Sequence, residues 1–100
     1  MHLTERQKKF LRKSAHNMKP IVTVGDKGIT ETLISELNSA LDHHELIKVK
    51  VRVGDRDARD ELIGELTGQS GSELISRVGN IATLYKPNKK EPKISLPKPG

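Results

Sequence analysis

The sequence predicts a small α/β (α+β) domain with the element order αβαβαββ, a four-stranded mixed sheet and its helices packed on one face. Three stretches repeat their apolar residues at helical spacing, and four shorter runs have the composition or alternation of strands. The 100 residues, of which 33% are hydrophobic, suffice for one core and are too few for two. A β-α-β crossover between the first two strands and a tight hairpin between the last two predict both parallel and antiparallel pairing.

The first helix is predicted over residues 5 to 17. Thr4 to Gln7 fit a capping box, in which the Thr hydroxyl and the Gln amide each satisfy a backbone N–H group of the other. The helical spacing predicts that Phe10, Leu11 and Met18 are buried. The lysines and arginines of this segment then fall on a different face, which stays exposed.

A strand over Ile21 to Val24 and a second helix over residues 29 to 43 are predicted next. The strand is β-branched throughout, which is typical of a strand buried on both faces or near the sheet centre. Apolar residues repeat at helical spacing from Ile29 to Leu41, so the second helix has one apolar stripe.

The second strand alternates between an apolar and a basic face from Ile47 to Val53. Its basic face carries Lys48, Lys50 and Arg52. Alternation alone explains these residues as the solvated face of an amphipathic strand, and contact with a polyanion explains them equally well. Both interpretations remain open from the sequence.

Ala58, Leu62, Ile63 and Leu66 mark a third helix, which is predicted to end at Thr67-Gly68 because glycine suits the position after a helix. Strands over Leu74 to Val78 and Ile81 to Lys86 flank Gly79-Asn80, a pair typical of a tight hairpin. We therefore expect one domain over residues 1–87. Residues 88–100 form a basic tail rich in proline and lysine, which we expect to be extended and weakly ordered.

The positive charge is concentrated at the two ends of the chain. Residues 1–20 carry six basic residues against one acidic residue, residues 21–80 carry seven against eleven, and residues 81–100 carry five against one. The formal net charge is +5. Two basic segments around a mildly acidic middle favour a protein that follows a polyanion such as a nucleic acid.

Several other classes of protein are disfavoured by the composition. The chain has no cysteine, which excludes a disulfide scaffold and a thiolate metal site. No apolar run approaches the roughly 20 residues that span a bilayer, so we expect a cytoplasmic protein without a membrane segment. No pairing of a nucleophile with a base stands out, and we expect no enzymatic activity, no cofactor and no bound metal. The low exposed apolar content predicts a monomer.

The strongest candidate site is the turn Gly25-Asp26-Lys27-Gly28 between the first strand and the second helix. Its glycines lack a Cβ, so a partner can approach the backbone closely. A helix N-terminus behind the turn favours an anion such as a phosphate, and Lys27 adds a positive charge at the tip. A strand-to-helix turn with two glycines also needs no ligand. The surrounding basic residues favour a nucleic-acid backbone over that simpler interpretation.

The neighbouring basic residues extend this candidate site. Arg6, Lys9 and Lys13 share one face of the first helix, and Lys19 follows it. The only aromatic residues are Phe10 and one tyrosine, too few for a platform that stacks successive bases. Recognition of structured RNA through its phosphates and shape is therefore favoured over sequence-specific binding.

The combined motifs resemble a known family. They are Leu11-Arg12 with Ala15-His16, Lys19-Pro20-Ile21-Val22, Gly25 to Thr30, His44 to Lys50, Leu84 to Pro87 and Lys93 to Pro97. Together they are similar to the CRM (chloroplast RNA splicing and ribosome maturation) domain in its stand-alone bacterial form, the YhbY family. Asp26 departs from that family's pattern, which usually has a small, polar or basic residue there.

This resemblance implies a fold similar to the C-terminal domain of bacterial translation initiation factor three. It also implies RNA binding through the Gly25 to Gly28 turn, association with precursor RNA of the large ribosomal subunit, and a role in ribosome assembly. An alternative is a non-catalytic interaction module that docks on a ribosomal protein. A second alternative, a hydrolase or nuclease, has only the abundance of carboxylates in its favour.

Overall fold

The predicted order αβαβαββ is confirmed in a computed structural model, in which residues 2–99 are described. The elements are α1 (Glu5–Ser14), β1 (Val22–Val24), α2 (Glu31–His44), β2 (Leu46–Val51), α3 (Arg56–Ser70), β3 (Glu73–Val78) and β4 (Ile81–Tyr85). The predicted capping box is present at the start of α1. The Gln7 amide N–H donates to Thr4 Oγ1 at 3.2 Å, and the Thr4 amide N–H donates to Gln7 Oε1 at 3.1 Å.

The four strands form one mixed sheet in the order β1-β2-β4-β3. β1 and β2 are parallel, whereas β4 is antiparallel to both β2 and β3. Val78 and Ile81 pair across the predicted two-residue hairpin, in which Gly79 has a φ of 60°. The order also makes β1 an edge strand, so its expected position near the sheet centre is wrong. Thr23 is exposed on it, and β-branching alone does not distinguish an edge from a centre.

The main core lies between one face of the sheet and the helices α2 and α3. Alternate residues of β2 enter this core, as the strand pattern predicts. The fully buried members include Leu37 and Leu41 of α2, Leu66 of α3 and Leu84 of β4. α2 and α3 therefore share one face of the sheet, as expected.

α1 packs on the opposite face, so the expectation that all helices share one face is wrong for this helix. Its residues Leu11 and Ala15 cluster with Leu46 of β2 and Tyr85 of β4. Ile47, the neighbour of Leu46, faces the main core instead. Successive side chains of a strand point to opposite faces, so α1 and α2 lie on the two sides of the sheet.

The predicted burial of Phe10 is wrong, because this side chain is 37% exposed. The buried stripe of α1 consists of Leu3, Gln7, Leu11 and Ala15 instead. These positions are four residues apart, and Gln7 and Leu11 lie above one another on the helix, with Leu3 before its N-cap and Ala15 at its C-cap. Leu11 is fully buried as predicted, and Met18 is partly buried against the same cluster.

Several helix ends differ from the prediction. α1 ends at Ser14, three residues before the predicted end. α2 begins at Glu31 because Thr30 is its N-cap and accepts a hydrogen bond from the Leu33 amide N–H at 3.1 Å. α3 continues beyond Gly68 and ends at Ser70. Gly71 takes the left-handed conformation that ends this helix, with φ of 70°, which a side chain would disfavour.

The expected weak order of the tail is wrong for residues 88 to 97. Ile94 and Leu96 pack against the cluster below α1, and the Gln7 side-chain amide donates to the Pro97 carbonyl at 3.1 Å. The buried carboxylate of Glu45 accepts hydrogen bonds from the backbone N–H groups of Asn88, Lys93 and Ile94. The tail is extended, as its prolines predict, and polar and apolar contacts hold it in place.

Candidate nucleic-acid interface

The glycine-containing turn projects from the end of β1 at the edge of the sheet. The Gly28 amide N–H donates to the Gly25 carbonyl at 3.0 Å and closes the turn. Gly28 has φ of 67°, whereas Gly25 is not among the residues with positive φ. Asp26 and Lys27 form the exposed tip. The two glycines therefore differ, since only Gly28 needs the left-handed conformation.

Two amides at the tip of the turn are available to a ligand. The Gly28 amide is occupied within the turn, and the Thr30 hydroxyl accepts from the Leu33 amide at the start of α2. Within residues 2–99, neither Asp26 nor Lys27 donates its amide to another protein atom. These two neighbouring amides could donate to the oxygens of an anion.

Carboxylates weaken the positive potential around the turn. Asp26 is part of it, and Glu31 lies in the first turn of α2, where it compensates the positive end of the helix dipole. Glu36 lines the same shallow depression as Lys27. Lys27 therefore needs support from cations on other elements to attract a phosphate backbone.

The strand pairing supplies two such cations. β1 and β2 are parallel, so Lys50 lies directly opposite Thr23, two residues before Gly25. The Arg52 amide N–H donates to the Val24 carbonyl at 2.8 Å, one residue before the turn. Both side chains are exposed. The structure therefore brings Lys50 and Arg52 to the base of the turn.

The N-terminal end of the predicted basic stripe on α1 lies far from the turn. Lys8 lies between Arg6 and Lys9 in the sequence and pairs with Glu73 at 4.0 Å. Glu73 is opposite Tyr85, and Tyr85 is opposite Leu46 at the start of β2. The turn follows Val24, which is opposite Val51 at the end of β2. Five strand steps separate these rows, about 16 Å. Arg6 and Lys9 are therefore at the other end of the sheet from the turn, although both are exposed.

The C-terminal end of α1 lies closer to β2. Lys48 Nζ donates to the His16 carbonyl at 3.5 Å, which joins the end of α1 to the middle of β2. Lys13 is in the last turn of α1, and Lys19 is exposed between α1 and β1. Lys48 is only partly exposed, in contrast to Lys50.

The described residues contain no cluster of metal ligands and no helix suited to a membrane. Among residues 2–99, no three His, Asp or Glu side chains come together as potential ligands of a metal ion. None of the helices described is both long enough and apolar enough to cross a bilayer.

Comparison with known proteins decides the family. The family model of the CRS1/YhbY (CRM) domain matches residues 3–86. The chain belongs to the CRS1/YhbY (CRM) domain family. The resemblance found in the sequence motifs is thereby confirmed, and the turn Gly25 to Gly28 lies inside the matched region.

Two bacterial relatives that match this chain over most of their length are named for RNA binding. “RNA-binding protein” of Haemophilus influenzae is 40% identical over 96 residues, which are 96% of this chain and 96% of the relative. “Probable RNA-binding protein PA4753” of Pseudomonas aeruginosa is 43% identical over 90 residues, 90% of this chain and 86% of the relative.

A solved structure supports the CRM fold. The solution structure of SAV1595 from Staphylococcus aureus, described as a candidate RNA-binding protein, matches with a TM-score of 0.82 and 38% identity. The match covers 96% of this chain and 100% of the other. The mixed sheet with three helices is therefore shared with an experimentally determined structure.

The sequence did not reveal which cations accompany the turn of this CRM domain. Lys50 and Arg52 are more than 20 residues from Gly25 along the chain, and only the parallel register makes them its neighbours. The predicted β-α-β unit already implied that β1 and β2 pair in parallel. Aligning β1 with the carboxyl end of β2 would have placed both residues, already candidates for contact with a polyanion, beside the turn.

Proposed function

We propose that this protein binds structured RNA and assists assembly of the large ribosomal subunit by associating with its precursor RNA. The observation that carries the proposal is the exposed turn with two available amides and Lys27 at its tip, flanked by Lys50 and Arg52. Membership of the CRM family and relatives named for RNA binding support RNA as the polyanion.

The turn and the basic residues have different roles in this proposal. The amides of Asp26 and Lys27 hold phosphate oxygens at a defined position, because hydrogen bonds depend on direction and distance. Lys27, Lys50 and Arg52 attract the RNA backbone, and this attraction falls with added salt. Lys13, Lys19 and Lys48 extend the surface, and Arg6 and Lys9 contact only an RNA that crosses the α1 face of the sheet.

The test of RNA binding is the charge reversal Lys27→Glu. We expect a loss of about 1 to 3 kcal/mol in binding to a structured ribosomal RNA fragment, because a contact between a cation and a phosphate is replaced by repulsion. The matched control is Lys90→Glu, which makes the same charge change at an exposed position of the tail beside the start of β2, away from the turn. Equal affinities of the two variants would reject the turn as the binding site.

The ribosomal part of the proposal needs an experiment in cells. Crosslinking followed by sequencing of the attached RNA is expected to recover precursor RNA of the large subunit. The protein is expected to sediment with precursor particles of that subunit and not with mature ribosomes. Recovery of a ribosomal protein that persists after RNA digestion would favour the interaction-module alternative.

The proposed role is binding by a cytoplasmic monomer without catalysis. Purified protein incubated with structured RNA and magnesium is expected to leave the RNA intact. Cleavage that copurifies with the protein through several columns, and that disappears on substitution of a carboxylate, would establish a nuclease instead.

A further inference from the structure

A second surface of the molecule has the charge and shape of a binding site. It is a groove of about 490 Å³ on the α1 face of the sheet, between the end of α1 and the strands β2, β4 and β3. Cavities of this size hold small organic groups. Neither the turn nor α2 contributes to its lining.

The rim of this groove is cationic. Arg12 and His16 are four residues apart at the end of α1, and Lys48 approaches from β2. None of the residues that line the groove carries a carboxylate, whereas Asp26 and Glu36 line the depression at the turn. The groove is therefore the more favourable of the two concavities for an anion.

The floor of the groove is partly apolar. Thr83 lies between Lys48 and Ser76 in one row across the sheet, and Ile81 pairs with Val78 in the next row. Val78 is 77% exposed, although it is a large aliphatic residue. A bare phosphate makes no use of such a floor, whereas a nucleotide offers an apolar base face together with its phosphate.

The groove also adjoins the turn. Ile81 of its floor is opposite Lys50, and Lys50 is opposite Thr23, two residues before Gly25. Two residues along β1 span about 7 Å, and the crossing from β1 over β2 to β4 adds about 10 Å. A single RNA strand held at the turn therefore reaches the groove across Lys50.

We propose that this groove binds one unpaired nucleotide of the RNA, with its phosphate against Arg12 and Lys48 and its base over Val78 and Ile81. His16 and the planar guanidinium group of Arg12 are suited to stack on a base. The inference rests on the proposed function, because it names the kind of RNA that the protein prefers. A loop or bulge beside a helix satisfies both surfaces, whereas a continuous duplex keeps its bases stacked and satisfies only the turn.

The direct test is a magnetic-resonance titration of the full chain with a single-stranded hexaribonucleotide, a blunt RNA duplex and inorganic phosphate. We expect the hexaribonucleotide to shift the methyl signals of Val78 and Ile81. The duplex is expected to shift the amide signals of Asp26 and Lys27 and to leave those methyl signals unchanged. Inorganic phosphate alone is expected to leave the methyl signals unchanged.

Charge reversal tests the same assignment. Arg12→Glu is expected to weaken binding of the hexaribonucleotide about tenfold, whereas Lys90→Glu, with the same change in net charge, is expected to leave it within about twofold. Val78→Ser is expected to weaken it about two- to fivefold, because the exposed apolar contact is lost. Circular dichroism of each variant checks that the fold is intact.

The outcomes separate the groove from the turn. Shifts at the turn with no shift at the groove for either RNA would overturn the groove and leave the proposed function standing. Absence of any shift with structured RNA would reject the proposed function. Methyl shifts with inorganic phosphate alone would overturn the nucleotide as the occupant.

Discussion

The carboxylate of Glu45 accepts a hydrogen bond from the backbone N–H of Ile94 at 2.7 Å, although 49 residues separate them. The same carboxylate accepts N–H groups of Lys93 at 2.6 Å and Asn88 at 2.6 Å, and Glu45 is 1% exposed. Its backbone has φ of 63°, which is uncommon for a residue with a side chain. A buried charge in a strained backbone persists because three donors from the tail satisfy it.

The variant Glu45→Gln is expected to lower the free energy of unfolding by about 2 to 4 kcal/mol. The amide loses the negative charge and turns an NH₂ group toward backbone N–H donors. Urea denaturation measures the effect. The methyl signals of Ile94 and Leu96 should move toward the values of an unpacked chain, because the hydrogen bonds to Glu45 hold this part of the tail in place.

A matched control is Glu91→Gln in the same tail. Glu91 pairs with Lys93 at 3.3 Å on the surface, and exposed pairs contribute little. We expect this variant to stay within about 0.5 kcal/mol of the wild type. Equal stability of Glu45→Gln and Glu91→Gln would contradict a structural role for the buried carboxylate.

The two glycines of the turn are expected to respond differently to alanine. Gly28→Ala should cost about 1 kcal/mol of folding stability, because φ of 67° disfavours a Cβ. Gly25→Ala should leave stability within about 0.5 kcal/mol, since an added Cβ meets no atom within 4 Å. Thermal or urea denaturation distinguishes the two.

Gly25→Ala also tests the close approach of RNA. If the RNA backbone passes against the turn, the added methyl group weakens RNA binding while the domain remains as stable as the wild type. Filter binding with the same fragment used for Lys27→Glu provides the measurement. Unchanged affinity would mean that the RNA contacts the tip of the turn and not its base.

The two ends of α1 are expected to differ in their contribution to RNA binding. Lys13→Gln, at the end joined to β2, should reduce the slope of log K against log salt by about 1 for a short RNA hairpin. Arg6→Gln, at the distant end of the sheet, should change the slope less. A larger effect of Arg6 would show that the RNA lies across the N-terminal end of α1.

The phenol of Tyr85 is expected to make stability depend on pH in the alkaline range. Burial raises the pKa of Tyr85, and the nearby carboxylate of Glu45 raises the pKa further. The unfolded chain then releases the phenolic proton at a lower pH than the folded chain. The contribution of Tyr85 is complete below about pH 10 and is lost as the pH rises through its folded-state pKa.

Tyr85→Phe isolates this effect from the titration of the lysines. The difference in unfolding free energy between the wild type and the variant should be constant below about pH 9 and should shift in favour of the variant above about pH 10. Urea denaturation at a series of pH values measures it. A difference that does not change with pH would show that the phenol titrates as it does in the unfolded chain.

Local patterns predicted most elements of the fold. The capping box at Thr4 and the hairpin at Gly79-Asn80 depend on residues that are neighbours in the chain, and both are present as predicted. Helical spacing correctly predicted the buried stripe of α2. The same spacing wrongly predicted the burial of Phe10, because Gln7 satisfies its polar atoms with Thr4 and Pro97 and takes the buried position instead.

The candidate site was predicted in part. The turn, Lys27 and the excess of basic residues follow from the sequence, and so does the family. Gly28 belongs to the turn that was predicted to contact RNA, but the hydrogen bond of its amide to the Gly25 carbonyl became evident only in the structure. The structure also places the start of α2 at Glu31, two residues later than predicted, because Thr30 is its N-cap.

The sequence by itself determined the order of the elements, the exposed glycine turn and the distribution of charge, because each depends on nearby residues or on composition. Tertiary structure decided which face α1 covers, which cations lie beside Gly25 and how the tail is held. These three properties depend on strand register and on the contacts of Glu45 with residues 43 to 49 positions away. Periodicity defines the faces of a single element, but only the packed chain determines what each face contacts.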